Sequence, residues 1–150
     1  MKSQQPPHAA VFPGPPTEAV LAQLVQAARA ARAHAYAPYS RFQVGAAVLD
    51  EAGRIHAGCN VENAAYPQGT CAEAGALAAM VLAGGRQVRA VAVVGEGAKP
   101  VTPCGGCRQK LREFAAPDAL VVVADGQGER MRHTMGDLLP ASFGPENLKP

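Results

Sequence analysis

The chain has 150 residues, 48% of them hydrophobic and 17% charged, which fits one globular domain and excludes a wholly disordered chain. A formal net charge of +2 leaves no strong electrostatic footprint for duplex nucleic acid or an anionic membrane. No apolar run approaches the roughly 18 residues that a membrane span needs.

Residues 1–16 carry five prolines and no periodic apolar pattern, so they read as a flexible tail ahead of a domain spanning 17–150. The tail lacks the apolar centre of a secretory signal. Thr17 is placed to cap a helix, and Glu18 suits its positive end. Val20, Leu21, Leu24, Val25 and Ala28 form its apolar stripe, and Arg29 and Arg32 suit its far end. Residues 44–49 and 55–59 flank the polar turn Asp50-Glu51-Ala52-Gly53 and predict a hairpin. Residues 88–94 and 120–124 are short, nearly all-apolar runs, as in strands covered on both faces. Between them, helices are predicted over about 71–83, stopped by Gly84-Gly85, and about 104–114, stopped before Pro117. A weaker strand near 130–134 and a short turn or helix near 136–139 follow. This order predicts an α/β fold, a three-layer α/β/α domain around a mixed five-stranded sheet.

The chain's four cysteines are few for a secreted disulfide scaffold. Cys104 and Cys107 are separated by two glycines, the spacing that lets both thiolates reach one metal ion. Cys71 and Cys104 both stand at predicted helix starts, where unpaired N–H groups and the helix dipole favour thiolate. Two such helix ends facing each other would place three thiolates around one zinc. Zinc with three protein ligands keeps a fourth position for water and makes that water a stronger acid. Glu73, in the first turn after Cys71, is suited to exchange protons there. Two other readings stand beside this one. The Cys-x-x-Cys pair alone also suits a redox site. A closed structural zinc site could take His133 or His56 as its fourth ligand, leaving Glu73 as an ordinary first-turn acid. Cys59 reads as a small buried apolar residue. The histidines follow no ligand spacing.

A Cys-x-Glu segment followed by Pro-Cys-x-x-Cys is the pattern of zinc deaminases. From the first helix to the C-terminus, the chain resembles the small homotetrameric cytidine deaminases. The motifs are Pro38-Tyr39-Ser40-Arg41-Phe42-Gln43-Val44-Gly45-Ala46-Ala47, Gly58-Cys59-Asn60-Val61-Glu62-Asn63-Ala64-Ala65-Tyr66, Cys71-Ala72-Glu73 and the run from Pro103 to Gln109. Leu138-Leu139-Pro140-Ala141-Ser142-Phe143-Gly144-Pro145 completes them in order. The resemblance implies one zinc per subunit held by Cys71, Cys104 and Cys107, with Glu73 as proton shuttle. It implies Asn60 and Glu62 on the ribose, chiefly its 3′-hydroxyl, and Phe42 against the base and sugar. Ala64, Tyr66 and Phe143 would reach a nucleoside bound by a neighbouring subunit. One departure is Ala74, where the family often has an arginine that offsets thiolate charge; Arg108 is a candidate substitute.

The expected reaction is hydrolytic deamination of cytidine and 2′-deoxycytidine to uridine and 2′-deoxyuridine, with release of ammonia. The expected setting is a cytoplasmic homotetramer with shared sites and no nucleic-acid or membrane partner. The alternatives are a blasticidin-S-type deaminase, which matches the Asn60–Tyr66 run less well, and a non-catalytic zinc-stabilised binding module.

Overall fold

The computed structural model describes residues 14–149; the tail expected over 1–16 therefore lies, up to residue 13, outside the described residues. Helix α1 (Glu18–Arg32) starts where Thr17 Oγ1 accepts the Val20 N–H at 3.3 Å. Leu21, Leu24 and Ala28 form its buried stripe. Strands β1 (Val44–Asp50) and β2 (Ile55–Cys59) form the expected hairpin. Then follow α2 (Ala72–Leu82), β3 (Val88–Gly95), α3 (Gly105–Arg112), β4 (Ala115–Ala124), β5 (Glu129–Thr134) and the short α4 (Met135–Leu138).

The five strands lie in the order β2-β1-β3-β4-β5. Only β3 and β4 run parallel, joined by the α3 crossover; the other neighbours are antiparallel. Alternate strand residues face opposite layers. Ala46, Val48, Val91, Val93 and Val121 pack with residues of α2, α3 and α4. Ala47, Leu49, Ala92, Val94 and Val122 pack with Leu21, Leu24 and Ala28 of α1. These are the three layers expected, around a mixed sheet.

Two glycines set how closely the helices approach the sheet. A Cβ on Gly45 would stand 1.9 Å from the Ala28 carbonyl of α1. On the other face, a Cβ on Gly58 would stand 2.3 Å from the Ala76 nitrogen and 2.6 Å from the Ala72 oxygen of α2. The first turns of α2 are thus seated directly on β2.

Strand β4 begins at Ala115, earlier than predicted, and α3 ends at Arg112. Pro117, read as the boundary of the preceding helix, donates no ladder hydrogen bond. Here it sits in a bulge: pairing passes from Val88–Ala115 directly to Ala90–Leu120, and Ala116, Pro117 and Asp118 are exposed. The last helix starts one residue before the predicted Gly136, with Thr134 and Asp137 forming a reciprocal capping box.

Register places the end of β2 (Cys59) beside the start of β1 (Gly45), and Val44 beside Gly95 at the end of β3. The connections that lead into α2 and α3 therefore leave the same end of the sheet.

Candidate active site

Cys71 is the residue before α2 and Cys104 the residue before α3, each in extended backbone conformation. Neither uses its side chain to cap its own helix. Cys107, one turn into α3, is buried. The Cys71 and Cys104 sulfurs lie 3.8 Å apart, and all three sulfurs lie within 4.8 Å of one another. Tetrahedral zinc with Zn–S bonds of about 2.3 Å spaces its sulfurs by roughly 3.8 Å, so the three residues fit that ion. Burial pushes the Cys107 and Cys71 thiols up from their usual range, while the backbone N–H of Cys107 draws the Cys104 thiol down. A bound divalent cation resolves this by favouring thiolate at every sulfur.

Neither histidine weighed as a fourth ligand joins the cluster. His56 Nε2 lies 2.9 Å from Asp50 Oδ2. His133 is on β5 opposite Val121. Among the described residues, the three cysteines form the only group of metal-ligating side chains found close enough to share an ion. Zinc held by these three residues alone would keep a fourth coordination position for water, as a catalytic site requires.

Glu73 lies in the first turn of α2 and is 4% exposed. It lines a cavity of about 450 Å³ together with Cys71, Cys104, Phe42, Asn60 and Glu62. That volume suits a small polar ligand. The antiparallel bridge between Val61 and Thr70, closed by N–H···O contacts of 3.0 and 2.9 Å, brings the chain from Glu62 back to Cys71.

Asn60 is committed to the cavity wall: Oδ1 accepts the Val44 N–H and Nδ2 donates to the Phe42 carbonyl, both at 2.8 Å. Glu62 accepts the Tyr39 N–H at 2.8 Å, the Ser40 N–H at 3.2 Å and the Ser40 hydroxyl. The Ser40 hydroxyl and these backbone donors hold its carboxyl below the usual range, against the opposing effect of desolvation. Tyr66, 75% exposed, stands at the rim of this same cavity, its ring centroid 5.7 Å from that of Tyr39. Ala64 and Phe143 are exposed and outside this cavity; the Phe143 carbonyl accepts from Gln109 Nε2 at 3.1 Å. Ser40 also lines this cavity and lies outside the residues that the family resemblance singled out for a role, because its contact is with Glu62, 22 positions away.

Arg108 does not hydrogen-bond a sulfur. Its guanidinium donates to the carbonyls of Pro103 and Leu138 at 2.8 and 2.9 Å and to Thr102 Oγ1 at 3.2 Å. It braces the loop that delivers Cys104 against the end of α4. Ala74 itself lies half-buried beside Leu77 and Phe114. Offset of thiolate charge falls to the starts of α2 and α3 and to the Cys107 N–H.

Residues 19–124 match the family described as the cytidine and deoxycytidylate deaminase zinc-binding region. A cytidine deaminase from Sporosarcina psychrophila is 43% identical over 126 residues, covering 84% of this chain and 93% of the relative. One from Mycobacterium tuberculosis is 43% identical over 118 residues, covering 79% of this chain and 85% of the relative. The crystal structure of cytidine deaminase from Burkholderia pseudomallei is similar with a TM-score of 0.77 at 48% identity, covering 81% of this chain and 98% of that one.

Proposed function

The chain belongs to the cytidine and deoxycytidylate deaminase zinc-binding family, and from that premise we propose that it hydrolyses cytidine and 2′-deoxycytidine to the corresponding uridines and ammonia. The observation that carries this reading is a buried carboxylate, Glu73, in one cavity with sulfurs of a three-cysteine cluster that fits zinc. Bound zinc supplies the Lewis acidity that makes water a nucleophile at neutral pH. Glu73 accepts the proton of the attacking water and passes it to the ring nitrogen. It then assists protonation of the exocyclic amine, which leaves as ammonia while the ring carbon keeps the oxygen. Glu62, held as an ionised acceptor, takes a hydrogen bond from the sugar hydroxyl. Phe42 lies against the base and sugar, and Asn60 fixes that ring's backbone while facing the ribose. A 3′-hydroxyl contact tolerates both sugars.

The same reading assigns the catalytic domain to 17–150 and assembles it as a homotetramer. Tyr39, Phe42, Val61 and Tyr66 leave large apolar surface around the cavity mouth, and Leu82 on α2 is 90% exposed. Exposed apolar surface of this kind suits burial between subunits. Ala64, Tyr66 and Phe143 then reach a neighbour's nucleoside. Free cysteines that serve as metal ligands suit the reducing cytoplasm. No helix among the described residues is long and apolar enough to cross a membrane. Conversion of cytidine by zinc-loaded protein, run beside blasticidin S, tests the activity and ranks the rival substrate.

A further inference from the structure

The segment between α1 and β1 contains one residue in the left-handed region, Arg41 at φ 58°. The reversal there is closed by the Arg41 N–H donating to the Ala37 carbonyl at 3.0 Å. It folds the backbone so that the Phe42 N–H donates to Ser40 Oγ at 3.0 Å. The single proton of that hydroxyl goes to Glu62 Oε1. Ser40 therefore links two residues that line one cavity, accepting from the Phe42 backbone and donating to the Glu62 carboxylate.

Three further contacts close the arrangement. The Tyr39 and Ser40 N–H groups also donate to Glu62, and Asn60 Nδ2 donates to the Phe42 carbonyl. Phe42 is thus held at its nitrogen by Ser40 and at its oxygen by Asn60. Glu62 is held by the residues just before Phe42. With these donors in place the carboxylate is an acceptor only, so it discriminates for a ligand group that donates.

We propose that Ser40 is a positioning residue that sets Phe42 and Glu62 as one unit, so that the aromatic contact and the sugar-hydroxyl contact form together. The Ser40 hydroxyl hydrogen-bonds Glu62 and the Phe42 N–H, and it acts through those two residues. The inference rests on the nucleoside reading of this cavity and deepens it.

The test is steady-state kinetics of the zinc-loaded protein and its Ser40→Ala variant, with cytidine and with 3′-deoxycytidine, across pH. Loss of a charge-assisted hydrogen bond raises KM for cytidine about tenfold or more, with kcat changed by less than about threefold. The penalty shrinks for 3′-deoxycytidine, which has no hydroxyl for Glu62. The acid limb of kcat/KM moves to higher pH, because Glu62 loses the donor that holds it ionised. A general loss of packing would instead lower performance on both nucleosides alike and leave that limb in place. Ser40→Thr keeps the hydroxyl, so it retains KM within about threefold and the original acid limb; a raised KM in this folded variant contradicts the proposal even if Ser40→Ala does not fold. An active wild type with an unchanged KM in Ser40→Ala, or an equal penalty on both nucleosides, overturns the inference alone. A zinc-loaded wild type inert toward cytidine overturns the nucleoside reading, and the inference with it.

Discussion

The sulfurs of Cys71 and Cys104 meet at 3.8 Å although 33 positions separate them in the chain. Each immediately precedes a helix on the same face of the sheet. Their meeting follows from register: β2 and β3 finish at the same end of the sheet, so the chain enters α2 and α3 side by side. Helix starts present unpaired N–H groups and partial positive charge, which suits a site that gathers three thiolates.

Cys104→Ala removes one of three ligands from that site. Zinc content measured by atomic absorption should fall well below one ion per chain, and the melting temperature should drop, because zinc bound only to the folded protein stabilises it. Full zinc occupancy in the variant contradicts the ligand assignment.

Glu73→Ala separates metal binding from proton transfer. The carboxylate lies in the cavity but is not part of the sulfur cluster. Zinc content and fold should persist while turnover of cytidine falls by about 10³-fold or more, as expected when acid–base work and water activation fail together. Near-normal turnover rejects the proton shuttle.

Gly58→Ala tests the seat of α2. The added Cβ would meet backbone atoms at 2.3 and 2.6 Å, and backbone cannot swing aside as a side chain can. The helix must lift, carrying Cys71 and Glu73 with it. Thermal or chemical denaturation should show a loss of about 1–3 kcal/mol, and zinc affinity should fall. Unchanged stability would mean that α2 is not held this closely.

Much of this was legible because local signals agreed with one another. Thr17 capped its helix as expected, and the nearly all-apolar 88–94 and 120–124 runs became central strands. The spacing of Cys104 and Cys107 and the acid two residues after Cys71 already marked one chemical site. What stayed hidden depended on partners far away in sequence. Pro117 marked the end of the expected helix, yet a bulge takes it up inside β4, where pairing passes from Ala115 to Leu120. Arg108 was a candidate for balancing thiolate charge, but its geometry sends it to the Thr102, Pro103 and Leu138 backbone and hydroxyl acceptors. Ser40 gains its meaning only once Glu62, 22 positions on, folds back onto it.

Asp50 predicts how stability responds to acid. Its fully buried carboxylate accepts from the Ala52 and Arg54 N–H groups, the Arg54 guanidinium and His56. Burial pushes its pKa up, but the hydrogen bonds from His56 and Arg54 outweigh this and hold it below the usual value. A carboxyl depressed in the folded state adds stability above its unfolded pKa of about 3.9 and loses that contribution as pH falls through the folded value. Asp50→Asn should therefore be less stable than wild type by about 1–3 kcal/mol at pH 7, with the gap narrowing below about pH 4. Denaturant titrations at several pH values measure this; a gap that stays constant down to acid unfolding contradicts the assignment.

The most direct test is to follow the absorbance of cytidine on addition of purified protein whose zinc content has been determined. The account predicts one zinc per chain, conversion to uridine and one ammonia released per nucleoside. A zinc-replete, folded protein that leaves cytidine and 2′-deoxycytidine unchanged contradicts it.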